Sequence, residues 1–332
     1  MAEIAADAVH LNALLLVGLA IAGGALGARI FKRIHVPQVV GYIVIGIIVG
    51  KSGLGLVGIE LIDDRILKAL EPFNFFALGL IGFHIGGSLK IETFRKYGRQ
   101  FTIILFAQGL CAAVLVGGVT FAAAFWGTGN IRLAGAIGLV LGAIASATAP
   151  AATVDVLTEY KAKGILTTTV LAIVGLDDAL AVALFAVACS LAAGVLGEGL
   201  AISDMLLGPL YELGVAAALG GAIGVVLALS IRRIAEKETE LVIVVGAVLL
   251  AIGISNVVGA DPIMTAMVLG FTLSNLAPVP AAEALELTER FSRPVFVLFF
   301  VMAGARLEVA HLERWMWVVV GVYVVGRMAG KN

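Results

Sequence analysis

The chain has 332 residues, 61% of them hydrophobic, with 41 glycines besides and only 14% charged. A soluble domain carries about a quarter of its residues as charges, so a water-soluble globule is excluded, as is a disordered chain. The net charge of −1 excludes a basic nucleic-acid binder.

The apolar runs set the class. Between Arg99 and Arg132 lie 32 residues with no formal charge, and about 20 apolar residues suffice to cross a bilayer as a helix. The apolar–polar alternation of a membrane β-barrel is missing. The expected fold class is an all-α polytopic membrane protein. Eleven hydrophobic segments are expected, at 11–30, 36–50, 70–88, 100–127, 131–158, 164–195, 204–231, 239–256, 262–277, 293–308 and 313–332. The residues before the first are acidic, which argues against a cleaved signal peptide and for a retained first helix. Pro37 and Pro262 suit first helical turns, and Gly259 to Pro262 form a tight turn between segments eight and nine. Cys111 and Cys189 lie in apolar runs and read as small hydrophobes rather than as a disulfide or metal pair.

Of the 22 Lys and Arg, fourteen fall in one set of alternate loops, six in the other, and Arg327 and Lys331 in the last segment. Positive residues favour the cytoplasmic side. The N-terminus is therefore expected outside, in a bacterial-type inner membrane.

Three features sit where charge or irregular backbone is costly. Asp177 and Asp178 stand 14 residues or more from any other charge, about 20 Å along a helix and so near mid-bilayer. An Asp at that depth costs roughly 2.5–3.5 kcal/mol on insertion scales and marks a functional site by default. Adjacent helical residues point about 100° apart, so one carboxylate can face a cavity while the other faces a neighbouring helix. Arg327 lies 13 residues past Arg314, about 20 Å in from the other side. It is the natural counter-charge to a buried Asp, or else it snorkels to the cytoplasmic surface. Segment five contains Ser146, Ala147, Thr148, Ala149 and Pro150. A mid-span proline breaks a helix, and irregular backbone at depth is tolerated where it lines a cavity. A discontinuous transporter helix is expected near residues 146–151. Asp155, closer to the cytoplasmic end, fits either an access funnel or an interfacial acid, and the second is the simpler reading. His84 reads as structural. Glu283, Glu286, Glu289, Arg290 and Arg293 read as a short amphipathic cytoplasmic connector. No nucleophile elbow, phosphate loop or metal-ligand spacing occurs, so no enzyme, cofactor or transition metal is expected.

These residues carry a resemblance over essentially the whole chain. It resembles the second superfamily of monovalent cation:proton antiporters, which includes the Kef-type and NapA-like sodium/proton exchangers. The residues are Val36-Pro37-Gln38-Val39-Val40-Gly41-Tyr42, the Ser146-to-Ala151 stretch, Leu176-Asp177-Asp178, Phe299-Phe300-Val301-Met302-Ala303-Gly304, and Gly326-Arg327-Met328-Ala329-Gly330-Lys331. The paired Asp together with the broken helix is the specific part. The resemblance implies a fold of inverted repeats with broken crossing helices and an elevator-type exchange of a monovalent cation for protons. Sodium is the first choice, with potassium or lithium as alternatives. It implies Asp178 as the principal ion and proton carboxylate, Asp177 paired with Arg327, and Thr148 with neighbouring backbone completing the site. It also implies scaffold and dimerisation helices over 1–95, a transport core over 96–198, a linker and further scaffold over 199–310, and the start of a core helix over 311–332. The partners implied are the cation, protons, lipid and a second copy of the chain. Such proteins usually have thirteen spans, so the eleven here imply a C-terminally truncated sequence that does not transport alone. Arg327 stands where a Lys accompanies electrogenic exchange, and an arginine does not release its proton in a cycle. Two rival readings follow: a Kef-like ligand-gated potassium efflux system, and a non-transporting sensor or scaffold of the same fold.

Overall fold

The computed structural model describes residues 13–34, 36–57, 64–148, 150–196, 202–233, 236–308 and 314–331. The described residues form α-helices and one 3-10 turn, with no strand among them. The helices are α1 (Ala13–Arg33), α2 (Gln38–Val49), α3 (Asp64–Ala69), α4 (Glu71–Ser88), α5 (Ile91–Thr128), α6 (Ile131–Ser146), α7 (Pro150–Glu159), α8 (Ile165–Leu196), α9 (Ile202–Ile231), α10 (Lys237–Val258), α11 (Pro262–Leu276), α12 (Pro278–Ala305) and α13 (Arg314–Lys331).

The expected segments map onto helices, with 131–158 divided between α6 and α7, but they are unequal. Four stretches, Leu14–Arg33, Gly98–Thr128, Tyr211–Ile231 and Lys237–Val258, are each long and apolar enough to cross a membrane unaided. Gln38–Val49, Ile131–Ser146 and Pro262–Leu276 are shorter apolar helices. The expected connector at Glu283 to Arg293 is not a separate element. It is the first part of α12, which runs on through Pro294. Its charged residues set it apart from the apolar run as a short amphipathic connector, but one helix carries both.

The chain divides into two compact units. The first comprises residues 1–77, 155–161 and 288–311. Here α1 and α2 touch backbone to backbone: a Cβ on Gly41 would lie 2.7 Å from the Ala28 nitrogen. Such small-residue contacts are the usual way membrane helices approach closely. Tyr42 and Phe300 stack with centroids 6.3 Å apart. Lys51 Nζ meets Glu308 Oε1 at 3.2 Å. The N-terminus of α2 lacks a side-chain cap from Pro37. Glu159 supplies one from a distance: its Oε2 accepts the Gln38 N–H at 3.0 Å, which suits the positive end of a helix dipole.

The second unit comprises residues 78–154, 162–287 and 312–332. The turn between α10 and α11 has Gly259 at φ 69°, the left-handed conformation glycine adopts freely. Asp261 then caps α11, its Oδ1 accepting the Met264 N–H at 2.6 Å, with Pro262 in the first turn. The ends of α4 and α11 are pinned together. Asn275 Nδ2 donates to the Leu89 carbonyl at 3.0 Å, and Lys90 Nζ donates to Ser274 Oγ at 2.8 Å. Helices α5 and α6 pack on a glycine seam. A Cβ on Gly142 would stand 2.5 Å from the Ala113 carbonyl oxygen and 2.9 Å from Gly117 Cα. Because backbone cannot yield as a side-chain tip can, this seam fixes the register of α6 and hence where α6 ends.

Gly142→Val should destabilise the protein by about 1–3 kcal/mol, the usual cost of overpacking, seen as a lower melting temperature in detergent. Gly246→Ala, whose added Cβ meets nothing within 4 Å, should change it little.

Candidate functional site

The site is built where α6 stops. Ser146 is fully buried, and its Oγ donates to the Ala143 carbonyl at 2.7 Å, closing the last turn. Ala147 then leaves the helix with φ −62° and ψ 145°. Residues 147 and 148 are non-helical, and α7 opens at Pro150. The sequence dictates this locally. A residue before proline is pushed away from helical geometry, and proline itself is well placed as a first helical residue. Ala149 lies outside the described residues, as do the side chains of Pro150 and Asp178.

A break leaves helix-end groups to be satisfied, and two side chains from elsewhere in the second unit bond to the residues there. From α8, Asp177 is fully buried, and its Oδ2 accepts a hydrogen bond from Thr148 Oγ1. From α13, Arg327 Nη2 donates to the Ala147 carbonyl at 2.5 Å. Tyr323, one turn earlier, holds its hydroxyl 3.5 Å from Arg327 Nη1. The signs are sensible. The C-terminal end of α6 carries the negative pole of its dipole and meets a guanidinium. The N-terminal end of α7 carries the positive pole and lies beside the residue that holds a carboxylate.

Glycines bring these helices close enough. A Cβ on Gly175 would lie 3.0 Å from both Ile85 Cγ2 and Met267 Sδ, so α8 seats tightly two residues before Asp177. On α13, a Cβ on Gly330 would lie 2.9 Å from Ala112 Cα of α5.

Of the residues expected at the site, Thr148, Asp177 and Arg327 converge on the consecutive residues Ala147 and Thr148. Ser146 closes α6 from within. Asp178 follows Asp177 in α8. Asp155 is half-buried in α7, within the first unit, with Glu159 and Arg293 as charged neighbours. Sequence reasoning missed the Ala147 carbonyl as the arginine's acceptor and Tyr323 as its neighbour. The Tyr323–Arg327 spacing of four was the only available signal.

Apolar helices of membrane length, with one interruption that carries a buried carboxylate and a guanidinium, are the arrangement of a discontinuous-helix secondary transporter. Residues 17–331 match the family described as sodium/hydrogen exchanger, transmembrane, and the chain belongs to that family. Its fold is similar to that of the sodium proton antiporter MjNhaP1 from Methanocaldococcus jannaschii. The TM-score is 0.71 and the identity 20%, over 96% of this chain and 77% of that one. No curated protein matches the chain.

Arg327→Gln should destabilise the protein by roughly 1.5–3 kcal/mol, the range for a hydrogen bond made by a charged group. Arg327→Lys should recover part of this. Thermal unfolding of both variants in detergent checks the order.

Proposed function

We propose that the protein exchanges a monovalent cation, sodium first, for protons across the membrane by alternating access. The observation that carries this reading is the fully buried Asp177, bonded to Thr148 at the break between α6 and α7, with Arg327 on the preceding carbonyl.

In this reading Asp178 is the exchanging carboxylate. Taking a charged carboxylate out of water disfavours its bare ionised form, so at depth Asp178 holds either a proton or a cation. Asp177 is kept in place by Thr148, and Arg327 offsets its charge. Arginine stays protonated throughout, so the exchange runs on the carboxylate alone. Backbone carbonyls freed at the break and the Thr148 hydroxyl supply oxygen ligands, which suit a hard monovalent cation. Residues 96–198 and 311–332 form the moving core in an elevator-type cycle. Residues 1–95 and 199–310 form the scaffold, through which two copies dimerise. The membrane is a bacterial-type inner membrane, with the N-terminus outside. Only the loaded, charge-compensated core crosses readily, which ties cation movement to opposite proton movement.

The test is cation-dependent dissipation of a ΔpH in proteoliposomes containing the full-length protein. Asp178→Asn should abolish it, and retained exchange would overturn the proposal. Thr148→Val should raise the KM for the cation about tenfold, the effect of losing roughly 1.4 kcal/mol of binding, with a smaller change in maximal rate.

A further inference from the structure

An apolar crevice of about 460 Å³ opens in the second unit between α5, α6 and α8. Its walls include Val114 and Gly118 of α5, Gly135 and Leu139 of α6, and Leu184 and Leu191 of α8. Every lining residue is apolar or glycine, so nothing in it recognises a cation, a proton or a polar solute. Three features indicate what fills it.

The first is a charge at its mouth. Arg132 is exposed and stands three and seven residues before Gly135 and Leu139, on the same face of α6. Among the described residues it makes no ion pair. The second is its level. Trp126, near the end of α5, is 76% exposed. The adjacent Gly127 packs on Trp315 of α13, a Cβ there lying 3.1 Å from Trp315 Cβ. Tryptophans gather at the membrane–water boundary, so Arg132 lies at headgroup depth and the crevice runs inward from it. The third is its size. Arg132 to Ala143, the deepest lining residue on α6, spans about 16 Å of helix, close to half of a hydrocarbon core of about 30 Å. That is one leaflet. A single acyl chain fits a space of this length and volume.

We infer that this crevice binds one acyl chain of an anionic phospholipid, whose phosphate is held by Arg132. The chain's inner end reaches Ala143, whose carbonyl takes the Ser146 hydroxyl. A bound lipid therefore buttresses the last turn of α6 from behind, directly before the helix break.

The test uses phosphatidylglycerol and phosphatidylcholine carrying a diazirine midway along one acyl chain. They are added to the full chain in detergent, photolysed and mapped by peptide mass spectrometry. Phosphatidylglycerol should label crevice residues on α5, α6 and α8 in preference to phosphatidylcholine. Arg132→Gln should reduce that preference about fivefold, the weight of one cation at an anionic headgroup, while chain labelling persists. Gly118→Phe should remove crevice labelling without lowering the melting temperature, since a Cβ at Gly118 meets nothing within 4 Å. Val114→Trp, at a position 75% exposed, should do the same if the first variant folds poorly. Crevice labelling absent from the unaltered protein, or undiminished in both filled variants, overturns the inference. Equal labelling by the two lipids overturns the role of Arg132.

Discussion

A carboxylate with no access to water must be answered by other groups, and the structure around Asp177 is organised to answer it. Burying a charge without partners is far more expensive than any single packing contact is favourable. Thr148 can donate to Asp177 only because it lies outside a helix. A continuous α6–α7 helix would turn that side chain with the helical pitch and keep the Ala147 carbonyl for itself. The break, the buried acid and the arginine are therefore one arrangement. Each element is costly at membrane depth alone, and each satisfies a group the others leave open.

Close packing makes the arrangement possible. Asp177, Thr148 and Arg327 come from α8, from the segment between α6 and α7, and from α13. Three apolar helices meet within hydrogen-bonding reach of one another only if their backbones approach closely. Glycines at the approach points do this: Gly142 against Ala113 and Gly117, Gly175 against Ile85 and Met267, and Gly330 against Ala112. Between hydrocarbon-solvated helices there is no hydrophobic force to bring them together, so van der Waals contact at such seams carries much of the association. The abundance of glycine is in this sense part of the site.

Much of this was legible in the residue string. Hydropathy places the helices, because the bilayer imposes one length scale on all of them. Pro150 marks the break, and the long uncharged flanks of the Asp177–Asp178 pair and the uncharged run before Arg327 single these residues out. What was not legible is pairwise. Nothing local says that Arg327 bonds the Ala147 carbonyl, that Glu159 caps the first turn of α2, or that Gly330 rests on Ala112. These partners are remote in sequence and are set by how helices cross. The reach of α12 through Pro294 was missed for a different reason. Charged residues end an apolar run without ending a helix, and a hydropathy profile sees only the first event.

The central claim is that a proton and a cation compete for one carboxylate, Asp178. Titration of the purified protein with sodium chloride in weak buffer, with proton release followed by a pH-sensitive dye, tests it most directly. The account predicts a proton released for each sodium bound, and neither release nor binding in Asp178→Asn. Sodium binding without proton release would contradict it.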